Sequence, residues 1–383
     1  MATERVDVAI IGAGPVGATF AALACAGERS IALFESRSAP SRDARTLALS
    51  HASARLLEEI DAWPASSVTP IESIHISQKG GPGRTLLTAS EQHLPALGYT
   101  VGYAALQQAL DDRMARAAIP VHYGESCEAI ALSAEEARVR FASGNEVDAK
   151  LLVLADGGAN VTRIPGLAFA EKDYGQTAMV AAVETDRAHG NRAYERFTPE
   201  GPLALLPVQG RYTLVWTAKP LVASALVQTA DADFLAGLQE HFGDRAGRFT
   251  SVANRMSFPL KLRTVNASVA LRTIIVGNAA QALHPVAGQG LNLGLRDAAA
   301  LAGVLADGSA EDPGSREILE RYRHARRRDA ARGIAFTDFL VSTFADDRRL
   351  PTWGRGLGLA LLDLLPPARR LLAERMIRGA PGP

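Results

Sequence analysis

The sequence predicts an α/β fold in which a Rossmann-like parallel sheet carries an inserted antiparallel β-sheet domain. Two observations predict it. Four apolar, strand-like runs, Val6–Ile11, Ile31–Phe34, Leu151–Ala155 and Thr273–Val276, each lead into a glycine-bearing turn or an acidic residue. The first two are separated by a helical pattern, which makes a βαβ unit and implies a parallel sheet covered by helices. The stretch from about Ala168 to Lys261 reads differently. Ala178–Val183, Leu203–Pro207 and Tyr212–Trp216 look like strands, and Gln209-Gly210 between the last two marks an antiparallel hairpin. Ile71–Gln78 alternates apolar and polar residues and adds a strand to this second region.

We therefore expect a discontinuous dinucleotide-binding domain over 1–70, 100–165 and 270–383, with the substrate domain over 71–99 and 166–269. A chain of 383 residues has room for both. Its 47% hydrophobic and 21% charged residues are those of a globular protein with a sizeable core. Lys+Arg and Asp+Glu both number 41, so no global charge draws it to nucleic acid. Cys25 and Cys127 are too few for a disulfide framework and lack metal-ligand spacing. No signal-peptide pattern opens the sequence and no apolar run is long enough to span a bilayer, so a cytoplasmic protein is expected.

The chemistry begins at Gly12-Ala13-Gly14-Pro15-Val16-Gly17, between a strand and a helix. Gly12 permits the tight turn, Gly14 lets backbone approach a pyrophosphate, and Gly17 lets helix and strand pack closely. The helix N-terminus offers free N–H groups and partial positive charge to phosphate. Glu35, at the end of the second strand, is placed to hydrogen-bond a ribose hydroxyl. These features specify a dinucleotide without separating FAD from NAD. The third run ends in Asp156-Gly157-Gly158, which alone reads equally as a plain turn.

The fourth run enters Gly277-Asn278, a polar loop through His284, Pro285, Gly288 and Gly290, and then a helix with Leu291, Leu295, Ala298, Ala302 and Leu305 on one face. Such a helix terminus suits a group that becomes negative, and the glycines let backbone approach a flat ring. Further on, Ser315 to about Phe344 reads as a charged helix. Its Arg326-Arg327-Arg328 run is read as a solvated face rather than a nucleic-acid site.

Taken together, these motifs resemble the class A flavoprotein monooxygenases, with the para-hydroxybenzoate hydroxylase fold. Within them the chain is similar to the ubiquinone-biosynthesis hydroxylases, most of all to the 2-polyprenyl-6-methoxyphenol hydroxylase branch. The resemblance rests on the glycine fingerprint, the Asp-Gly motif, "GNAAQALH" and "HPVAGQGLNLGLRD" (His284 to Asp297). It extends through "DARTLALSHAS" and "RRRDAARGIAFTDFL" and is loose over 166–269. It implies that Gly12, Gly14, Gly17 and Glu35 hold the ADP half of FAD and that Arg45 and Gln107 contact flavin or pyrophosphate. It also implies that Asp156 lies near the cofactor, that Asn278 holds the ribityl or pyrophosphate region, and that Pro285, Gly288, Gly290 and Asn292 line the isoalloxazine ring. Two departures stand out. Ala104 occupies a position where relatives often carry Arg, and Asn160 one where Ser is commoner.

The resemblance further implies that NAD(P)H, as a transient co-substrate, reduces FAD. The flavin then reacts with O₂ to a C4a-hydroperoxide that oxygenates a polyprenyl phenol. The protein supplies orientation, electrostatics and exclusion of water. A base would help by forming the phenolate. His284, beside Pro285, is the candidate; the alternative is that it only shapes the turn. The C-terminal "WGRGLGLALLDLLPPARRLLAERMIR" joins an apolar run to arginines and suits either a membrane surface or packing on the flavin domain. Two alternatives stay open: a related hydroxylase or reductase of another aromatic or isoprenoid substrate, and a non-catalytic flavin-bearing member of a ubiquinone-synthesis complex.

Overall fold

The computed structural model describes residues 3–39, 43, 45–79, 84–198, 201–283, 289–308 and 311–345. The four expected strands, Glu4–Ile11, Ile31–Glu35, Glu146–Leu154 and Thr273–Ile275, lie in one sheet. Their spatial order is Thr273–Ile275, Glu146–Leu154, Glu4–Ile11, Ile31–Glu35, with Val121–Tyr123 beyond the last. All these pairings are parallel, with Val8 opposite Leu151 on one side and Ile31 on the other. Parallel neighbours need crossover connections, and the insertions are carried in them.

Among the described residues seven α-helices accompany the sheets: α1 (Pro15–Ala24), α2 (His51–Glu59), α3 (Tyr103–Arg116), α4 (Pro220–Gln228), α5 (Asp231–Phe242), α6 (Gln289–Asp307) and α7 (Arg316–Ala345). Val8 and Ile10 pack with Ala18 of α1, Leu106 of α3, Leu295 of α6 and Tyr322 of α7. Ala9 and Ile11 pack on the opposite side with Val139 and Phe141. Burial on both faces is why this strand reads as a continuous apolar run rather than an alternating one.

The second sheet has eight strands, in the order Gln281–Ala282, Phe249–Val265, Phe169–Thr185, Arg211–Ala218, Gly201–Val208, Arg192–Thr198, Ser73–Gln78 and Arg84–Thr88. The expected hairpin is there, with Gln209 and Gly210 at φ of 44° and 84°. Two successive positive φ values match the turn to the strand twist. Strand alternation gives this sheet two different faces. Met179, Ala181, Leu203, Leu205, Leu214 and Trp216 bury under Phe234, Leu238 and Phe242 of α5. The alternate residues Ala178, Val180, Ala204, Val215 and Thr217 line a cavity instead.

A third sheet of Thr46–Ser50, Gly98–Gly102 and Val68–Ile71 stands between the other two, and no strand was expected in these segments beyond Ile71, where the expected Ile71–Gln78 run begins. Its threonines fasten it to the hairpin. Thr46 and Thr213 hydroxyls lie 2.8 Å apart, Thr69 Oγ1 accepts the Gln209 N–H at 3.0 Å, and Thr100 Oγ1 donates to the Pro207 carbonyl.

One expectation is corrected. Arg326 does not belong to a solvated basic face. It is buried, donating to Asp297 at 2.7 Å and to Asp329 at 2.5 Å. The run of three arginines concealed this because one helix turn can point successive residues in opposite directions.

Candidate active site

At the glycine turn the three fingerprint positions have different reasons to be glycine. Gly12 has φ of +105°, and a Cβ there would lie 2.6 Å from the Ala155 carbonyl oxygen. At Gly17 a Cβ would lie 2.1 Å from the Gly12 oxygen, so it seals the helix against the turn. Gly14 is open toward the described residues, the nearest of whose atoms to a Cβ would be the Tyr103 hydroxyl at 3.6 Å. The turn is thus closed toward the protein and open on the side where a pyrophosphate would lie. Gly14 occupies the N-cap of α1 and has no side chain, so none competes for the first-turn amides of the helix.

Glu35 stands at the end of the adjacent strand. It accepts the N–H groups of Ala13 and Arg37, each at 3.0 Å, and the Arg37 guanidinium at 3.0 Å. Burial works to raise its pKa, but these hydrogen bonds and the Arg37 charge hold the carboxyl below its ordinary range. Gln107 reaches the same turn, donating to the Ala13 carbonyl at 2.9 Å and to Asp111 at 2.8 Å. Its Oε1 is buried and finds no partner among the described residues. Burying an amide oxygen without a donor is costly, and a ligand at the turn would supply one. The site therefore fits a bound dinucleotide. Arg37 and Tyr103 were missed by sequence reasoning, because neither belongs to a motif.

Asp156 lies beside Gly12, but its carboxylate is engaged by its own loop. It accepts from Gly158 N–H at 2.8 Å, Asn160 N–H at 2.9 Å and Asn160 Nδ2 at 2.7 Å. Asn160, the departure from the commoner serine, contributes two of these three bonds and receives Arg163 Nε at 2.8 Å.

A cavity of about 540 Å³ joins this half to the antiparallel sheet. Arg45, Ser50, Asn278, Gly290 and Asn292 form part of its wall, and the free face of the sheet forms another part. Among the described residues a Cβ on Gly290 would meet only Asn278 Oδ1 at 3.7 Å, so none of them closes off the backbone there. Asn292 does something the motif did not disclose. Its Oδ1 accepts Ser50 N–H at 2.8 Å and Ser53 Oγ at 2.7 Å, and its Nδ2 donates to the Ala48 carbonyl at 3.0 Å. This buried amide fixes the start of α6 to the strand before α2. Arg45 pairs with Asp43 at 2.6 Å and lies 5.6 Å from the Tyr103 ring centre.

Beneath the α6 terminus, Asp297 accepts Gly277 N–H at 3.0 Å, Gln281 Nε2 at 2.7 Å and Arg326 Nε at 2.7 Å. Burial raises its pKa, opposed by the Arg326 charge and these three donors. The loop that carries Asn278 is held from below by this network. His284, Pro285 and Gly288 lie outside the described residues, as does the C-terminal segment from residue 353.

The structure thus brings the predicted residues together in two groups: Gly12, Gly14, Gly17, Glu35 and Gln107 at the turn, and Arg45, Asn278, Gly290 and Asn292 at the cavity. Glu195, on the cavity face of the sheet, was missed. It lies in "RAYERF", where Ala193 and Phe197 share its strand parity. A charged residue between two apolar ones at period two was the available signal.

The model of the FAD binding domain family matches residues 5–337. The chain is 34% identical to ubiquinone hydroxylase UbiL of Rhodospirillum rubrum, over 99% of this chain and 94% of that protein. It is 30% identical to 3-demethoxyubiquinol 3-hydroxylase of Escherichia coli, over 94% and 95% respectively. Among solved structures, it resembles PqsL, a probable FAD-dependent monooxygenase from Pseudomonas aeruginosa. The TM-score is 0.79 at 18% identity, covering 93% of this chain and all of the other. The p-nitrophenol 4-monooxygenase PnpA from Pseudomonas putida matches with TM-score 0.78 at 17% identity, covering 98% of both chains. The chain belongs to the FAD-dependent monooxygenases of the para-hydroxybenzoate hydroxylase fold, in the family of the ubiquinone-biosynthesis hydroxylases.

Proposed function

We propose that this enzyme hydroxylates the ring of a polyprenyl phenol in ubiquinone biosynthesis, consuming NAD(P)H and O₂. The observation that carries the reading is the cavity, where backbone at Gly290 and the Asn278 amide meet a largely apolar sheet face. When bound, FAD accepts hydride from NAD(P)H and activates O₂. The protein's part is to bind, orient and exclude water. Gly14 and the α1 terminus hold the pyrophosphate, Glu35 takes a ribose hydroxyl, and Gln107 Oε1 accepts a hydrogen bond from the cofactor. Arg37 holds the Glu35 carboxylate through its guanidinium at 3.0 Å. Asp156 shapes the loop beside Gly12. Asn278, Gly290 and Asn292 define the flavin side of the cavity, with the α6 terminus favouring negative charge there. The same reading divides the chain into the cofactor domain (1–70, 100–165, 270–383) and the substrate domain (71–99, 166–269).

A polyprenyl tail must come from a membrane, and we assign membrane-surface contact to the region of α4. No helix among the described residues is long and apolar enough to cross a bilayer. Leu221 is 87% exposed, Val222, Met256 and Phe258 are also exposed, and Phe258 lines the cavity as well. Exposed apolar side chains on a helix and at the rim of a ligand cavity suit a lipid surface.

The test is the quinone-lipid profile of cells lacking the protein, with wild-type or Gly14→Val restored. The expected result is loss of ubiquinone and accumulation of a prenyl phenol one oxygen short, rescued by wild type alone. Unchanged ubiquinone in cells without a redundant hydroxylase would refute the substrate. For the membrane contact, Leu221→Glu/Met256→Glu should abolish co-sedimentation with anionic phospholipid vesicles while retaining FAD. Undiminished sedimentation would place the contact elsewhere.

A further inference from the structure

We propose that Glu195 is the residue that receives the phenolic proton of the bound substrate and so sets how the ring lies in the cavity. The inference rests on the aromatic-hydroxylase reading above and identifies the group within that site that acts on the substrate.

The argument starts from strand register. Glu195 pairs with Ala204, Ala204 with Val215, and Val215 with Val180. Paired residues point to the same side of a sheet, so these four form one row, and all four line the cavity. Along its own strand Glu195 is flanked on that side by Ala193 and Phe197, and in the parallel neighbour its partner is Ile76. The carboxyl therefore stands in an apolar row across the free face of the sheet.

No hydrogen bond or ion pair among the described residues involves this carboxyl, in contrast to Glu35 and Asp297. A carboxyl placed among alkyl groups without a donor destabilises the fold, and such groups cluster where chemistry needs them. Burial alone pushes its pKa up to about 8. The charged residues that also line the cavity, Arg45 and Lys261, contribute nothing to that shift, and no titratable side chain faces it from the strands on either side.

That elevation matches a phenol. With phenol near 10, proton transfer to a carboxylate near 8 is uphill by about a hundredfold, against more than about 10⁵-fold for an ordinary glutamate. In the step, the phenol O–H bond breaks, its electron pair stays on oxygen, and the proton passes to a Glu195 carboxylate oxygen. The electron-rich phenolate ring is then the better acceptor of an electrophilic oxygen. When the oxygenated ring regains aromaticity, the ring carbon releases its hydrogen as a proton and Glu195 returns one to the phenolic oxygen, which leaves the carboxylate as it began. Glu195 is the ionisable group of its row, with the Thr213 and Thr217 hydroxyls the other polar groups this strand face brings to the cavity, and the ring carbon presented to the flavin side follows from anchoring the phenolic oxygen on the carboxyl.

The test uses the FAD-loaded full chain and Glu195→Gln and Glu195→Leu. Wild-type hydroxylation of a short-chain 2-prenylphenol should rise with pH to a plateau above about 8. Glu195→Gln should retain FAD, lose about 10²-fold in hydroxylation rate, and lose that pH dependence. Equal rates and an unchanged pH profile would overturn the proposal. A second measurement does not need turnover. Binding of 2-methoxyphenol and of 1,2-dimethoxybenzene is read from perturbation of the flavin spectrum. Wild type should prefer the phenol at least about tenfold, and Glu195→Leu should bind both alike. A preference that survives in Glu195→Leu would refute the role. If wild type prefers the phenol yet forms no hydroxylated product, the substrate reading fails while Glu195 stands.

Discussion

Asp297 is buried and Glu195 half-buried, in different regions of the same molecule, and desolvation raises the pKa of both carboxyls. Around Asp297, under the start of α6, the chain supplies an amide, a glutamine and an arginine. Around Glu195, on the free face of the antiparallel sheet, it supplies alanine, valine and isoleucine. The first arrangement holds a loop in place. The second leaves a proton-binding group available to whatever enters the cavity. A buried charge is thus structural or chemical according to whether the protein itself provides its partners.

The comparison is broken most forcefully at Arg326. Replacing it by methionine leaves Asp297 buried without its countercharge, and loss of one partner of such a pair costs about 3–5 kcal/mol. Urea denaturation of Arg326→Met should show a loss of that size, with weaker FAD retention because the Asn278 loop loses its support. Adding Asp297→Asn should restore at least about 1 kcal/mol, a coupling a double-mutant cycle would read. If Arg326→Met unfolds like wild type, the network is not what holds the loop.

Glu195 should respond in the opposite direction. Its pKa rises from the ordinary 4.5 to about 8 in the folded protein, so between those values the native state binds more protons than the unfolded chain. Stability contributed through this group is therefore full below the unfolded value and is lost as pH rises through the folded one. Glu195→Gln removes that loss. We expect the cofactor-free variant to be more stable than wild type by about 1–3 kcal/mol at pH 7, and equal to it near pH 4. A variant that gains stability and loses hydroxylation has the signature of a functional residue. Equal stability at both pH values would mean that solvent in the cavity already satisfies the carboxyl.

These two regions were unequally legible in the sequence. The βαβ unit announces itself because each glycine has a local steric reason that survives in one dimension: the positive φ at Gly12, the 2.1 Å approach at Gly17, the open side at Gly14. The hairpin at Gln209-Gly210 was readable for the same reason. Asn292 was readable as a motif position but not as the clamp on Ser50 and Ala48, since that contact spans more than two hundred residues. Arg326 was misread because three consecutive arginines give no indication of which one faces inward. Glu195 showed in the sequence only as a charge between Ala193 and Phe197 at period two; its meaning depends on Ala204, Val215 and Val180, which only strand register places in its row. Local backbone geometry is written locally; the chemistry of a cavity face is written across four strands.

The smallest effect sharpens the comparison from its exposed end. Asp7 is a third carboxylate, part-exposed, accepting Lys150 Nζ at 2.8 Å and both the Ser30 N–H and hydroxyl at 2.9 Å. Burial raises its pKa, but Lys150 and Ser30 outweigh that and hold it below 3.8. It is as well partnered as Asp297, yet water can replace any partner it loses. Lys150→Met should therefore cost less than about 1 kcal/mol, and less again in high salt. The lowered pKa fixes the sign of its pH dependence. Stability from this group is present above the unfolded value near 3.8 and disappears as pH falls through the folded one, so the small difference between wild type and Lys150→Met should vanish in acid. A loss as large as that of Arg326→Met would mean that the ion pair, and not its desolvation, sets the scale. The distinction drawn between Asp297 and Glu195 would then have to rest on the number of partners alone.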